Sequence, residues 1–146
     1  MKKPLLISAC LLGLACRYDG KSKPIDASLL NALRKRWQLV PVCPEQLGGL
    51  PTPRPSAERQ GARVVSAAGV DVTEQYRRGA AQACQLCRCF GCETALLKER
   101  SPSCGSGKVY DGSFSGTLTD GDGVTTEALK ALGVRVYGES EIELLL

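Results

Sequence analysis

Three apolar runs that read as β-strands each lead, within a few residues, to a cysteine. Pro4-Leu5-Leu6-Ile7-Ser8-Ala9 leads to Cys10, Leu39-Val40-Pro41-Val42 to Cys43, and Thr94-Ala95-Leu96-Leu97 to Cys104. Strands separated by helical stretches predict a parallel sheet, whose strands all end on one edge. That carboxyl edge is where open α/β sheets bind ligands. Three thiols brought there, with no fourth strand-end cysteine, describe a metal or iron–sulfur site with one coordination position open. Catalysis uses an open position, and a closed structural site lacks one. Each cysteine alone also fits a small buried apolar residue, and spacing by itself leaves the two readings level.

The rest of the chain supports the alternation. Asp26 suits the N-cap of a helix of about ten residues that carries Leu29, Leu30 and Leu33 on one face. A second strand runs from Trp37 or Gln38 to Val42 and breaks at Cys43-Pro44. The loop Leu50-Pro51-Thr52-Pro53-Arg54-Pro55 is restricted by its prolines to extended or turn geometry. Arg63–Ser66 and Val70–Val72 read as an edge hairpin around Ala67-Ala68-Gly69. Thr73 suits the N-cap of a long helix that Gly91 stops after Phe90. A strand over Cys92–Lys98 follows, then a glycine-rich segment to Gly123. Thr125 or Thr126 opens a short helix to Leu132, Gly133 ends it, and Val134–Tyr137 is the last strand. Residues 139–146 suit one or two helical turns. The expectation is α/β: a single small three-layer domain over residues 1–146, with a mostly parallel, Rossmann-like sheet.

Composition narrows the function. With 146 residues, 43% apolar and 23% charged, the chain is ordinary globular material. No apolar stretch approaches the roughly 18–20 residues of a membrane span. The run after Lys2-Lys3 is too short for a signal peptide and reads better as the first strand. A cytoplasmic setting is expected, and eight cysteines there favour metal or redox chemistry over a disulfide framework. The net charge of +4 comes from scattered Lys and Arg, which give a nucleic-acid partner little support and suit a small polar or anionic ligand equally well. Histidine is absent. Acid–base work therefore falls to Asp, Glu, Tyr, Lys, Cys or water.

Two strings carry the candidate chemistry. Cys43-Pro44-Glu45 sets a carboxylate two residues after a strand-end thiol. Ser101-Pro102-Ser103-Cys104-Gly105 sets hydroxyls and open backbone N–H groups beside another. Glu45 also fits a carboxylate at a helix N-terminus, and Ser101 before Pro102 fits a turn residue. With Ser8-Ala9-Cys10-Leu11-Leu12-Gly13, Cys16-Arg17-Tyr18-Asp19-Gly20, Gln46-Leu47-Gly48-Gly49-Leu50-Pro51-Thr52-Pro53-Arg54, Lys98-Glu99-Arg100 and Gly121-Asp122-Gly123-Val124-Thr125, these strings resemble a bacterial family that includes the thiouracil desulfidases. The resemblance runs over nearly the whole chain. It implies a 4Fe–4S cluster held by Cys10, Cys43 and Cys104, with one iron open to the sulfur of a small thiolated base such as 2-thiouracil. Hydrolysis of the C–S bond would give uracil and hydrogen sulfide without net electron transfer. The family's acid–base carboxylate and its hydroxyl map onto Glu45 and Ser101.

One run departs from that pattern: Cys84-x-x-Cys87-x-Cys89-x-x-Cys92. Two Cys-x-x-Cys pairs suggest zinc or a second cluster, and so a non-enzymatic metal-binding or sulfur-trafficking protein. A helix opposes this. At 100° per residue Cys84 and Cys87 share a face with Ala80, while Cys89 turns away with Gln82 and Gln85, so the four do not surround one ion. The expectation is core packing plus one or two exposed thiols. A thiol–disulfide oxidoreductase wants its pair at a helix start, and here the pair lies inside the helix. Cys16 is either a thiol beside the cluster or a packing residue. Arg54 and Arg59 are expected in surface salt bridges, with an anionic substrate group as the alternative. Asp120-Gly121-Asp122-Gly123 reads as a turn capped by Thr125. Monomer and homodimer stay open.

Overall fold

The computed structural model describes residues 1–146. Along the chain run β1 (Lys3–Ser8), α1 (Ala27–Arg36), β2 (Trp37–Val42) and the one-turn helix α2 (Pro44–Leu47). A hairpin of β3 (Ala57–Gln60) and β4 (Arg63–Ser66) leads to the long helix α3 (Thr73–Phe90) and β5 (Thr94–Leu97). A second hairpin, β6 (Lys108–Tyr110) and β7 (Leu118–Asp120), precedes α4 (Val124–Ala131) and β8 (Arg135–Gly138). A 3₁₀ turn at Ala9–Leu12 follows β1, and another at Glu139–Leu145 closes the chain. No helix is long and apolar enough to cross a membrane.

The main sheet has the order β2-β1-β5-β8 with every pair parallel. Leu5, Leu6 and Ile7 of β1 are wholly buried because helices cover both faces of the sheet. Alternate side chains go to opposite layers. Leu6, Ala95 and Leu97 pack with Ala83, Cys84, Cys87 and Leu129 under α3 and α4. Leu5, Ile7 and Leu96 pack with Leu33 of α1 and with Ile142 and Leu145 of the closing turn. Each such leucine or isoleucine contributes about 1.5–3 kcal/mol of transfer free energy. The three-layer α/β architecture matches the expectation.

Local signals agree with the structure where they are strongest. The Asp26 side chain accepts the Ser28 amide at 3.1 Å, and α1 spans the expected ten residues. Gly91 ends α3 in the left-handed conformation, φ 72°. Three details differ. β4 has a partner the pattern did not show, β3, besides the expected Val70–Val72 arm, where Ser66 donates to the Val70 carbonyl, Val72 donates to the Val64 carbonyl and Asp71 bridges Val65 antiparallel. Thr73 lies inside α3 rather than capping it: its hydroxyl accepts the Val64 amide, and Asp71 accepts the Thr73 amide. The glycine-rich segment contains a hairpin, β6–β7.

The chain goes from β1 to β2 on one side and reaches β5 on the other, so the strand order reverses at β1. The crevice beyond the carboxyl ends of β1 and β5 is therefore a topological switch point, the usual ligand position in open parallel sheets.

Candidate active site

A cavity of about 410 Å³ opens at that switch point. Its volume is in the range of small-ligand sites. Cys10, Cys43 and Cys104 all border it, each delivered differently. Cys10 follows β1 in the 3₁₀ turn, and Cys43 is the N-cap of α2, ahead of Pro44 at the first helical position. Cys104 comes from a tight loop after β5. Cys10 and Cys104 are buried, and Cys43 is half-buried.

The Cys104 loop is bound on three sides. Ser101 Oγ accepts the amides of Ser103 (3.1 Å) and Cys104 (3.0 Å). Thr126 donates its hydroxyl to the Cys104 carbonyl at 2.8 Å, and the Ser103 and Thr125 hydroxyls share a 2.8 Å hydrogen bond. The first amides of α4, at Val124 and Thr125, donate to the Pro102 and Ser103 carbonyls. Thr125 is thus a buried loop anchor and not the cap of a turn. A Cβ at Gly123 would overlap the Ser103 carbonyl and the Cys104 amide, so only glycine admits this approach. Ser8 Oγ accepts the Lys98 amide at 2.9 Å, tying the ends of β1 and β5 together under the cavity floor.

Glu45 sits in the first turn of α2 and borders the same cavity. Its Oε2 accepts the Tyr76 hydroxyl at 2.7 Å and lies 3.3 Å from Arg54 Nη2. Arg54 is only 8% exposed, against the expected surface role. Its guanidinium donates to the Pro51 carbonyl, the Thr52 hydroxyl and the Cys16 carbonyl, and its Nε has no partner. Arg59 does pair on the surface side, with Glu127 at 2.6 Å. Behind Glu45, α2 rests backbone to backbone on α3. A Cβ at Gly48 would overlap the Gln75 carbonyl, and one at Gly79 would overlap the Pro44 carbonyl.

A fourth cysteine, Cys16, borders the cavity from a loop, so a count of strand-end thiols understates the sulfur present. The Cys16 carbonyl receives the Cys43 thiol at 3.6 Å. Burial pushes the Cys10 thiol up to about 11, with the neighbouring Cys43 adding to it. Burial and Cys43 push Cys16 up to about 12. Cys104 is also raised, by burial first and the Glu45 charge second. Metal coordination reverses this preference by deprotonating the thiol outright.

No three thiols or carboxylates stand close enough to hold a single ion. The three strand-end thiols instead border one cavity from three separate segments of the chain. That donor set suits a cluster whose irons occupy different corners, since soft thiolates select iron–sulfur centres and a cubane spreads its ligands. The Cys84–Cys92 run offers no rival site. Cys84, Cys87 and Cys92 are buried in the apolar layer under α3, and Cys89 is exposed with Gln82 and Gln85.

Nothing in the sequence singles out Tyr76, Tyr110 or Phe114, and Lys98 and Tyr18 stand there only inside family-like strings, without a role. Lys98, paired with Glu139 at 3.1 Å, lines the cavity beside Cys10. Tyr18, Tyr110 and Phe114 border its mouth. Glu58 accepts the Gly112 and Phe114 amides (3.0 and 3.1 Å), holding Phe114 at φ 56°, unusual for a bulky residue.

A family model described as 2-thiouracil desulfurase matches residues 5–141. The chain belongs to the 2-thiouracil desulfurase family. Within the similarity is an uncharacterised Bacillus subtilis (strain 168) protein, YbbK, 41% identical over 97% of this chain and 99% of its own. A solved structure of a [4Fe-4S]-dependent thiouracil desulfidase, TudS, is 49% identical and superposes with a TM-score of 0.94, over 99% of this chain and 95% of that one. This desulfurase-family chain thus shares its fold with a cluster-dependent member throughout.

Proposed function

We propose that this chain is a 4Fe–4S-dependent desulfidase that hydrolyses a thiolated pyrimidine base, such as 2-thiouracil, to its oxo form and hydrogen sulfide. Residues 1–146 act as one desulfidase domain. The observation that carries the reading is the meeting of Cys10, Cys43, Cys104 and Glu45 on one cavity at the switch point of the sheet. The three cysteines are the cluster's ligands and leave one iron without a protein ligand. When bound, the cluster supplies a soft Lewis acid suited to the sulfur of a thiocarbonyl.

The chain's own residues supply the rest. Glu45 takes a proton from the water that attacks the thiocarbonyl carbon, a role for which this histidine-free chain has few other groups. Ser101 Oγ already accepts two amides, so its proton is the part left to use. It donates to the base or to negative charge growing during attack. Tyr18, Tyr110 and Phe114 give the flat ring apolar faces to lie against.

The test is anaerobic loading with iron and sulfide, followed by 2-thiouracil. About four irons per chain and stoichiometric sulfide release are expected for a single cubane. Loaded protein that releases no sulfide from any thiolated pyrimidine would overturn the substrate, and a Cys43→Ser protein that keeps its iron would overturn the ligand set.

A further inference from the structure

We infer that Tyr76 and Arg54 are positioning residues that tether one oxygen of Glu45, Oε2, and thereby leave Oε1 as the atom that takes the proton during C–S hydrolysis. The inference rests on the role given to Glu45 in the proposed function and names the atom and the side chains through which that role is exercised.

The hydrogen bond and the ion pair of this carboxylate both fall on the same oxygen: Tyr76 Oη at 2.7 Å and Arg54 Nη2 at 3.3 Å. A carboxylate has about four acceptor positions, and two donors converging on one oxygen leave the other to the cavity that Glu45 borders. Both anchors are themselves immobilised. Tyr76 is 2% exposed and packs with Val64 and Val72, so its ring has no room to swing. Arg54 is held by Pro51, Thr52 and Cys16 in addition to Glu45. Glu45 is its sole carboxylate partner. The Tyr76 phenol is pushed up by burial and then by the Glu45 charge, so it remains a neutral donor. The two residues together keep the carboxylate from rotating.

The step balances without an oxidant or reductant. Water oxygen bonds to the thiocarbonyl carbon, and one water proton passes to Glu45 Oε1. The C–S bond then breaks with its electron pair on sulfur. Oε1 returns the proton to the departing sulfur and relays the second, giving the oxo base and hydrogen sulfide.

Tyr76→Phe keeps the ring and removes only the donor. In cluster-loaded protein we expect iron content and melting temperature close to wild type and little change in KM. The turnover number should fall between about tenfold and a hundredfold, the scale of a misplaced catalytic group. In a Glu45→Gln background the same substitution should cost nothing more, because Tyr76 would act through a carboxylate no longer there. Arg54→Lys keeps the charge but loses the fork, and should show the same split between turnover and KM; it carries the test if Tyr76→Phe fails to fold. Wild-type turnover in both variants, loss that adds to that of Glu45→Gln, or loss of iron in Tyr76→Phe would each overturn the inference while leaving the desulfidase reading intact. Full turnover in Glu45→Gln would instead bring down the role of Glu45 itself.

Discussion

Eight cysteines divide evenly between two regions. Cys10, Cys16, Cys43 and Cys104 border the cavity at the carboxyl edge of the sheet, and Cys84, Cys87, Cys89 and Cys92 belong to the end of α3 and the residues after it. Burial is no guide to which set does chemistry, since it raises the Cys10 thiol to about 11 and the Cys87 thiol to about 12. The neighbours differ instead. The cavity set has Ser8, Glu45, Arg54 and Lys98 beside it, with loop amides held in place by Ser101. Cys84, Cys87 and Cys92 pack with Leu6, Ala95, Leu97 and Leu129, an apolar layer that Cys104 also joins from its cavity-lining position, and Cys89 is exposed. Thiols beside a cavity and polar groups are equipped to hold a charged centre, whereas thiols in an apolar layer serve as small packing residues.

The largest way to break this contrast is metal loading. Cys10→Ser, Cys43→Ser and Cys104→Ser should each lower bound iron by at least about tenfold, since even supporting residues of metal sites carry losses of that size. Cys84→Ala and Cys87→Ala, assayed the same way by elemental analysis, should keep it. Reversal of that order would move the site to α3.

A smaller effect is stability. Cys87→Ser places a hydroxyl in the apolar layer and should cost about 1–3 kcal/mol in urea unfolding, the penalty of a buried group without a partner. Turnover per folded molecule should not change. Next comes alkaline melting. The Cys87 thiol is raised in the folded chain from 9.0 to about 12, first by burial and then by Cys92 and Cys84. Below pH 9 neither state ionises, so this stabilisation is fully present. Above it the unfolded chain loses its proton first, and stability drains away as the pH climbs towards 12. Cys87→Ala should flatten the fall in melting temperature across that window. The smallest expected change is Cys89→Ser, within about 0.5 kcal/mol of wild type, as for most surface substitutions. Alkylation followed by mass spectrometry should modify Cys89 before Cys84, Cys87 or Cys92.

Features written in short stretches of chain are legible. The apolar runs of β1, β2 and β5 sit where expected, Asp26 caps α1, and Gly91 ends α3. The helical face shared by Ala80, Cys84 and Cys87 is the buried one. The strings around Cys43 and Cys104 also point to the sheet edge where both thiols lie. Contacts between distant segments are not legible. Tyr76 and Glu45 are 31 positions apart, and nothing near either residue announces the other. Arg54 looks like a surface residue until the proline loop folds it against the Cys16 carbonyl. Strand β3, Ala57-Glu58-Arg59-Gln60, lacks apolar alternation, so the pattern alone finds Val70–Val72 beside β4 and misses β3.

The bare backbone seat between Gly48, Gly79 and their partner carbonyls has a practical meaning for anyone altering this protein. It acts as a fulcrum. A single methyl at either position would tilt the segment bearing Glu45 away from its two holders, although neither glycine lines the cavity. Loss of turnover at such a glycine would report displaced machinery and not a missing chemical group.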